Sequence, residues 1–295
     1  MTGATGPDSS FEVDEAFVRA KIPPRKMDSH KGMNGVVCVV GGSRTYHGAP
    51  FLCAMGAARS GVDLVYVAVP SVVATPIRSL SPDLIVLPLP DSKLTRGNAS
   101  RLASWLPDVG CIGIGPGLGP QNPAELKNAI ATLSAKCQTL VVDADALRPS
   151  ILEAPAAHLA KMVVTPHAQE FERLFGEKLP DALDERVPVV KKAAGAHGVV
   201  VLLKGPTDVI SDGQSVGLND THSPAMTVGG TGDVLTGVTS GLAAKGLGRF
   251  DAACCAAYVN GLAGAEAAEE RGLHIVASDV VERISNVMKR FDRLE

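Results

Sequence analysis

The run Met226-Thr227-Val228-Gly229-Gly230-Thr231-Gly232-Asp233-Val234-Leu235-Thr236-Gly237 carries a polar loop into an apolar helix. Gly229, Gly230 and Gly232 lack a Cβ, so consecutive backbone N–H groups can converge on an anion. The helix that starts here adds unpaired donors and the positive end of its dipole. A phosphate group is the ligand that such an end selects. Asp233 falls in the first turn, where a carboxylate also steadies the helix by itself. That structural role leaves three glycines without a reason. A carboxylate beside an anion hole suits phosphoryl transfer, the acid accepting a hydroxyl proton while the N–H groups neutralise the moving phosphoryl.

Two further glycine groups lie upstream, each after a run of β-branched residues. The run 36–40 leads into Gly41-Gly42-Ser43 and then Gly48-Ala49-Pro50, and the run 111–114 leads into Gly115-Pro116-Gly117-Leu118-Gly119. Neither matches a Rossmann fingerprint or a Walker A loop. Each can be read as a tight strand-to-helix turn needing positive φ, or as a ligand loop at the carboxyl end of a strand in an open α/β sheet. Strands are expected at 36–40, 64–69, 84–87, 111–114, 140–142, 162–164 and 199–203. These runs are apolar throughout, as suits strands buried on both faces of a parallel sheet. Helices are expected at 50–60, 122–135, 167–175, 184–194, 233–244, 251–271 and 277–291. The alternation predicts a three-layer α/β/α fold with a mostly parallel central sheet. With no composition break after Pro23-Pro24, the organisation expected is a floppy N-terminal arm, residues 1–25, and a single catalytic domain, residues 26–295.

Composition narrows the partners. Of 295 residues, 31 are glycine and 45% are hydrophobic, which allows a large aliphatic core. The 28 Lys and Arg against 31 Asp and Glu give a net charge of −3. That balance, with no basic block, argues against nucleic acid as a partner. No apolar run approaches the roughly 18 residues of a membrane helix, which argues against a membrane span. Residues 1–10 have no basic segment followed by an apolar one, so a signal peptide is not expected and a cytoplasmic location is. The six cysteines form no CxxC pair and read as reduced core residues.

The order of the motifs carries a resemblance. GGTGD before an apolar helix resembles the ribokinase-like superfamily, whose members phosphorylate a small-molecule hydroxyl. Lys31-Gly32 with Gly35, GGS at 41–43, GAP at 48–50, Ala58-Arg59-Ser60-Gly61, GPGLG at 115–119, VDADAL at 142–147, TPH with Glu170-Phe171, and LLKGPTDVI at 202–210 narrow it further. As an ordered set spanning roughly residues 25–290 they resemble the ADP/ATP-dependent NAD(P)H-hydrate dehydratase family. The resemblance implies a hydro-lyase that repairs hydrated NADH or NADPH, S epimer. A nucleoside di- or triphosphate phosphorylates the C6 hydroxyl, and phosphate then leaves. It implies Asp233 as the base, with the N–H groups from Gly230 through Thr231 and Gly232 to Asp233 as the anion hole. Lys204, Gly205, Pro206, Thr207, Asp208 and Gly232 are expected to bind ADP or ATP. Ala49, Gly117, His167 and Asp233 are expected to meet the hydrate, and Glu170 to help hold Mg2+, often through water. It further implies a homo-oligomer, with a tetramer as the family expectation. A separate epimerase is expected to act alongside, since only about 25 residues precede the first motif.

Several of these residues also have an ordinary structural reading. His167 caps a helix as readily as it lines a site, and Glu170, three residues on, shares its helix face and suits the helix dipole. Asp143 and Asp145 can orient magnesium or substrate, or begin a turn. Lys204 reads alone as a surface lysine, and Arg59 as the cation closing its helix before Gly61. The alanine-rich helix 251–270 is expected to pack or to form a subunit interface. The loop Asn219 to Pro224 departs from the polar Gly-containing turn usual before GGTGD. Two other functions share Asp233 and the anion hole: a kinase for a sugar or vitamin-precursor hydroxyl, and a non-catalytic nucleotide-sensing protein. Scarcity of aromatic residues points to recognition by backbone donors, with Tyr46 the exception.

Overall fold

Val37 and Val39 face one side of their strand and Cys38 and Val40 the other, and all four are fully buried. The pattern recurs in the other central strands, so the sheet needs a helical layer on each face. The computed structural model describes residues 10–90 and 93–295. Its strands are β1 (Ser10–Glu12), β2 (Val36–Val40), β3 (Leu64–Pro70), β4 (Ile85–Leu89), β5 (Val109–Ile114), β6 (Cys137–Val142), β7 (Met162–Val164), β8 (Val200–Leu203), β9 (Asp208–Ser211) and β10 (Val216–Asn219). The helices are α1 (Glu15–Lys21), α2 (Gly48–Arg59), α3 (Ser71–Leu80), α4 (Arg96–Trp105), α5 (Pro123–Ser134), α6 (Ala156–Leu159), α7 (Ala168–Phe175), α8 (Leu183–His197), α9 (Thr231–Ala244), α10 (Arg249–Arg271) and α11 (Ala277–Lys289).

The strands form one sheet in the order β1-β10-β9-β8-β7-β6-β5-β2-β3-β4. Only β9 runs antiparallel to its neighbours, in the β8-β9-β10 meander. From β2 the chain winds outward through β3 and β4, then returns to β5 and winds the other way through β6, β7 and β8. The reversal between β2 and β5 is a topological switch point, where an open α/β sheet leaves a crevice at the carboxyl ends of its strands. Buried side chains of α4, α5, α6, α7 and α8 pack on one face. Those of α2, α3, α9, α10 and α11 cover the other, joined by Val18 of α1. The three-layer architecture expected from the alternation is the one observed.

Tight packing between α2 and α9 explains Gly56 and also Gly237, the last glycine of the run quoted above. A Cβ on Gly56 would stand 2.6 Å from the Val234 carbonyl oxygen, and one on Gly237 would stand 2.9 Å from the Ala57 nitrogen. Both are needed for close helix approach. Gly113 likewise faces Ser240 of α9, where a Cβ would meet its Oγ at 2.8 Å. Gly237 therefore holds α9 against α2 and Gly113 lets it close on the sheet, so each has a packing reason.

The segment before Pro23 is more than a floppy arm. Residues 1–9 lie outside the described residues, but β1 extends the sheet beside β10, and α1 follows with Asp14 accepting the Phe17 N–H at its start. Val13, Val18 and Ile22 are buried against the α10 layer, and Phe11 packs tilted against Phe17 and edge-to-face with Phe250. Burying this apolar set outweighs the brevity of the strand. Three further helices, α3, α4 and the four-residue α6, also lie where none was expected. α3 tolerates Pro76 in its interior, because Val73, Ala74 and Ile77 anchor it to the core. α4 is started by Thr95, whose hydroxyl accepts the Asn98 N–H at 3.1 Å. All six cysteines are buried with free thiols.

Candidate active site

Gly230 has φ +101, a left-handed value that glycine adopts without strain. A Cβ there would also meet Leu52 at 2.7 Å and Ala277 at 2.9 Å. This bend sets the start of α9: the first intrahelical bond runs from Val234 N–H to the Gly230 carbonyl, 3.1 Å. The N–H groups of Thr231, Gly232 and Asp233 therefore emerge at the helix end without an intrahelical acceptor. The Thr231 hydroxyl turns back to the Met226 and Val228 carbonyls, 2.9 and 3.2 Å away, and pins the preceding loop. The loop that leads into the hole at Gly230–Asp233 is thus tied back to the helix start.

Beside it stands a charged group assembled from three strands. Asp143, at the end of β6, is 1% exposed. Its Oδ1 accepts from Lys204 Nζ at 2.9 Å and its Oδ2 from the Thr236 hydroxyl at 2.8 Å. Thr236 is three residues beyond Asp233 on α9, so Asp143 ties β8 to the helix that carries the candidate base. Lys204 also lies 3.7 Å from Glu170. Burial alone would lower the lysine's pKa, but the Asp143 and Glu170 carboxylates outweigh it and hold the ammonium above its ordinary value. A Cβ on Gly232 would sit 3.3 Å from Lys204 Nζ, which places the cation over the anion hole. Asp145 Oδ2 accepts the Gly119 N–H at 2.8 Å and connects the second glycine loop to the same edge. Desolvation first, then the like charge of Asp143, pushes the Asp233 carboxyl up to about 7, against an opposing pull from Lys204. A carboxylate so placed gives up little to solvent and is poised to take a proton near neutrality.

His167 fulfils its structural reading completely. It is the N-cap of α7: its Nδ1 accepts the Gln169 and Glu170 N–H groups at 3.2 and 3.4 Å, while Glu170 Oε2 accepts the His167 N–H at 2.9 Å. This capping box also leaves the imidazole half exposed on the wall of a cavity of about 700 Å³. Lys204, Gly205, Pro206, Asp208, Gly230, Thr231 and Gly232 line the same cavity, and Thr207 does not. Asp208 shapes its loop: Oδ1 accepts the Gly205 N–H and Oδ2 the Asn219 amide, both at 3.0 Å, and burial pushes its carboxyl up to about 6.

Ala49 and Gly117 are drawn together at the switch point. Gly117 has φ +65, and a Cβ on it would lie 3.1 Å from that of Ala49 and 2.9 Å from the Tyr46 carbonyl. They stand at the crevice between β2 and β5, outside the large cavity. Tyr46 borders Gly117 and is half exposed. Among the described residues no three His, Cys, Asp or Glu side chains converge as a metal cage. Lys204 already balances Asp143 and Glu170. Such donors fit a magnesium ion that arrives on nucleotide phosphates and keeps most of its waters, with Glu170 as an outer partner.

Sequence reading missed part of this wall. The helix 251–270, expected to pack or to form a subunit interface, does pack, and α10 also contributes Ala257, Asn260 and Gly261 to the cavity. The atypical loop supplies Thr221, His222, Ser223 and Pro224. An asparagine inside an alanine-rich run was the one available signal.

A doubly wound sheet with a phosphate-type helix start over a nucleotide-sized cavity defines an enzyme of the ribokinase-like class. The Bacillus subtilis ADP/ATP-dependent NAD(P)H-hydrate dehydratase, co-crystallised with ATP and Mg2+, superposes with a TM-score of 0.82 at 28% identity, over 97% of this chain and 100% of that one. A family profile described as NAD(P)H-hydrate dehydratase matches residues 37–286, and the chain belongs to that family. It is 49% identical to the ADP-dependent (S)-NAD(P)H-hydrate dehydratase of Cenarchaeum symbiosum, over 96% of this chain and 98% of that protein. It is also 45% identical to the bifunctional NAD(P)H-hydrate repair enzyme Nnr of Pyrobaculum aerophilum, over 90% of this chain and 53% of that longer protein.

Proposed function

We propose that the chain is a hydro-lyase that restores NADH and NADPH from their hydrates, S epimer, at the expense of ADP or ATP. The observation that carries this reading is the placement of Asp233 in the first turn of α9, beside the helix-end N–H groups and with Lys204 over them. In this reading the cavity bounded by Lys204–Asp208 and Gly232 takes the adenine nucleotide, and its terminal phosphate meets the N–H groups of Thr231, Gly232 and Asp233. The hydrate enters from the switch-point crevice, between Ala49 and Gly117 on one side and His167 on the other.

Asp233 takes the proton of the C6 hydroxyl as the oxygen bonds to the terminal phosphorus and the bond to the leaving nucleotide breaks. The C6–O bond then breaks with inorganic phosphate as the leaving group, assisted by the ring nitrogen lone pair, and loss of a proton from C5 restores the double bond. Phosphate leaves far more readily than hydroxide, which is why a nucleotide is consumed. Lys204 offsets charge on the moving phosphoryl, and Asp143 holds Lys204 in place. Magnesium, when bound with the nucleotide, adds charge neutralisation at the phosphates.

The reading extends to a cytoplasmic homo-oligomer, a tetramer by family expectation, with a single catalytic domain that takes in β1 and α1. Among the described residues no helix is long and apolar enough to cross a membrane. The longer bifunctional relative supports a partnership with an epimerase activity. Incubation with NADH hydrate, magnesium and ADP or ATP tests the reaction. Recovery of reduced-nicotinamide absorbance with one inorganic phosphate per NADH is expected. A stable phosphorylated product without that recovery would assign the chain to a small-molecule kinase instead.

A further inference from the structure

Asn260 lies on α10, far in sequence from every glycine loop, and is 5% exposed. The residue is one of those lining the 700 Å³ cavity, and its Oδ1 is buried with no hydrogen-bond partner among the described residues. A buried amide left unpaired is destabilising, so its presence on a cavity wall calls for a ligand. Asn219 offers a contrast. Its Oδ1 is unpaired too, but its amide N–H is committed to Asp208 at 3.0 Å and it lies off the cavity lining.

The surroundings of Asn260 specify the ligand. Ala257, Pro224, Met226 and Leu235 give the cavity apolar walls, while Gly230, Gly232 and Lys204 line it with phosphate-type donors. A molecule with a flat heteroaromatic end and an anionic end matches both. An asparagine amide offers one donor and one acceptor side by side, and adenine answers with its N6 amine and N7, a two-point pairing. Guanine presents two acceptors, O6 and N7, on the same edge.

We propose that Asn260 is the base-reading residue of this cavity, its amide pairing with the exocyclic amine and neighbouring ring nitrogen of adenine and so selecting adenine over guanine nucleotides. This rests on the reading of the cavity as the nucleotide site and adds the group that identifies the base. Scarcity of aromatic side chains fits the assignment, since with little ring stacking available the discrimination falls to a hydrogen-bonding edge.

The test is calorimetric titration of the full chain with ADP, GDP and purine-riboside diphosphate, which has the adenine ring without its amine. Wild type is expected to bind ADP tighter than either analogue by about tenfold or more. Asn260→Leu should lose about that factor for ADP and bind ADP and the deamino analogue alike. Without ligand the Leu variant should melt no lower than wild type, because an unpaired buried amide has been removed. If Leu proves too bulky to fold, Asn260→Ala is read in the same way. ADP affinity unchanged in the variant, or equal losses for ADP and the deamino analogue, would overturn the assignment. Wild type that binds ADP but fails to restore NADH would remove the proposed reaction and leave the role of Asn260 standing. Restored NADH with a variant that still prefers ADP over the deamino analogue as strongly as wild type would remove the role of Asn260 alone.

Discussion

Both ends of the sheet carry charged side chains around a cavity, and the two ends differ in what those charges answer to. At the amino end of the strands, Arg25, Lys26, Arg59, Lys245, Lys289 and Arg293 line a cleft of about 430 Å³. Helices α2, α9 and α11 all finish there, and cations complement their negative ends. Arg25 pairs with Asp63 at 2.8 Å and Lys245 donates to the Ser60 carbonyl at 3.2 Å. The charges are thus matched to the fold itself. At the carboxyl end the positive start of α9 is met by a cation, Lys204, and buried acids are gathered beyond any capping need. Charge that runs with helix polarity marks a seam, and charge that exceeds it, beside unpaired backbone donors, marks a site.

Breaking the functional end should therefore cost activity first. Asp233→Asn is expected to keep the fold and ADP binding while lowering turnover by about 10² to 10⁴, read as the rate of NADH recovery. Because the folded-state pKa of Asp233 lies above its unfolded value, the ionised form weakens the fold as pH rises through about 7. At pH 8 the Asn variant should consequently melt at or above wild type. Wild-type kcat/KM should rise with pH across the same range, as the base loses its proton. Lys204→Met comes next: it strands the buried Asp143 carboxylate and should cost about 3–5 kcal/mol in urea unfolding, together with weaker nucleotide binding. Arg59→Ala at the opposite end should change stability by less than about 0.5 kcal/mol and leave turnover unaltered. Loss of activity in that variant would erase the contrast between the two ends.

Much of this was legible in the residues. The seven apolar runs all became strands, because strands buried on both faces advertise themselves without alternation. The position of Gly230, Gly232 and Asp233 at a helix start was readable, since the apolar helix pattern begins there. The strands β9 and β10 were not, being four residues each with polar members, and α3 was hidden by Pro76. The tie between Asp143 and Lys204 spans 61 residues, and neither residue signals the other until the sheet places β6 and β8 on either side of β7. His167 and Glu170 show a different limit: the capping reading and the site reading call for the same two side chains, and the structure uses them as a cap on the cavity wall.

The pairing of β1 with β10 sets the order in which the molecule can be completed. Ser10 sits opposite Val216, so a ribosome adding about 5–20 residues per second leaves the segment waiting about 10–40 s for its partner strand. Phe11, Val13, Val18 and Ile22 stay uncovered for that time, and longer, since α10 emerges after β10. The earlier-made segment is thus a nascent-chain liability, open to chaperones or to wrong pairing until β10 and α10 have been made. The stretch that leaves the ribosome early is among the last to dock, and it closes the outer border of the sheet.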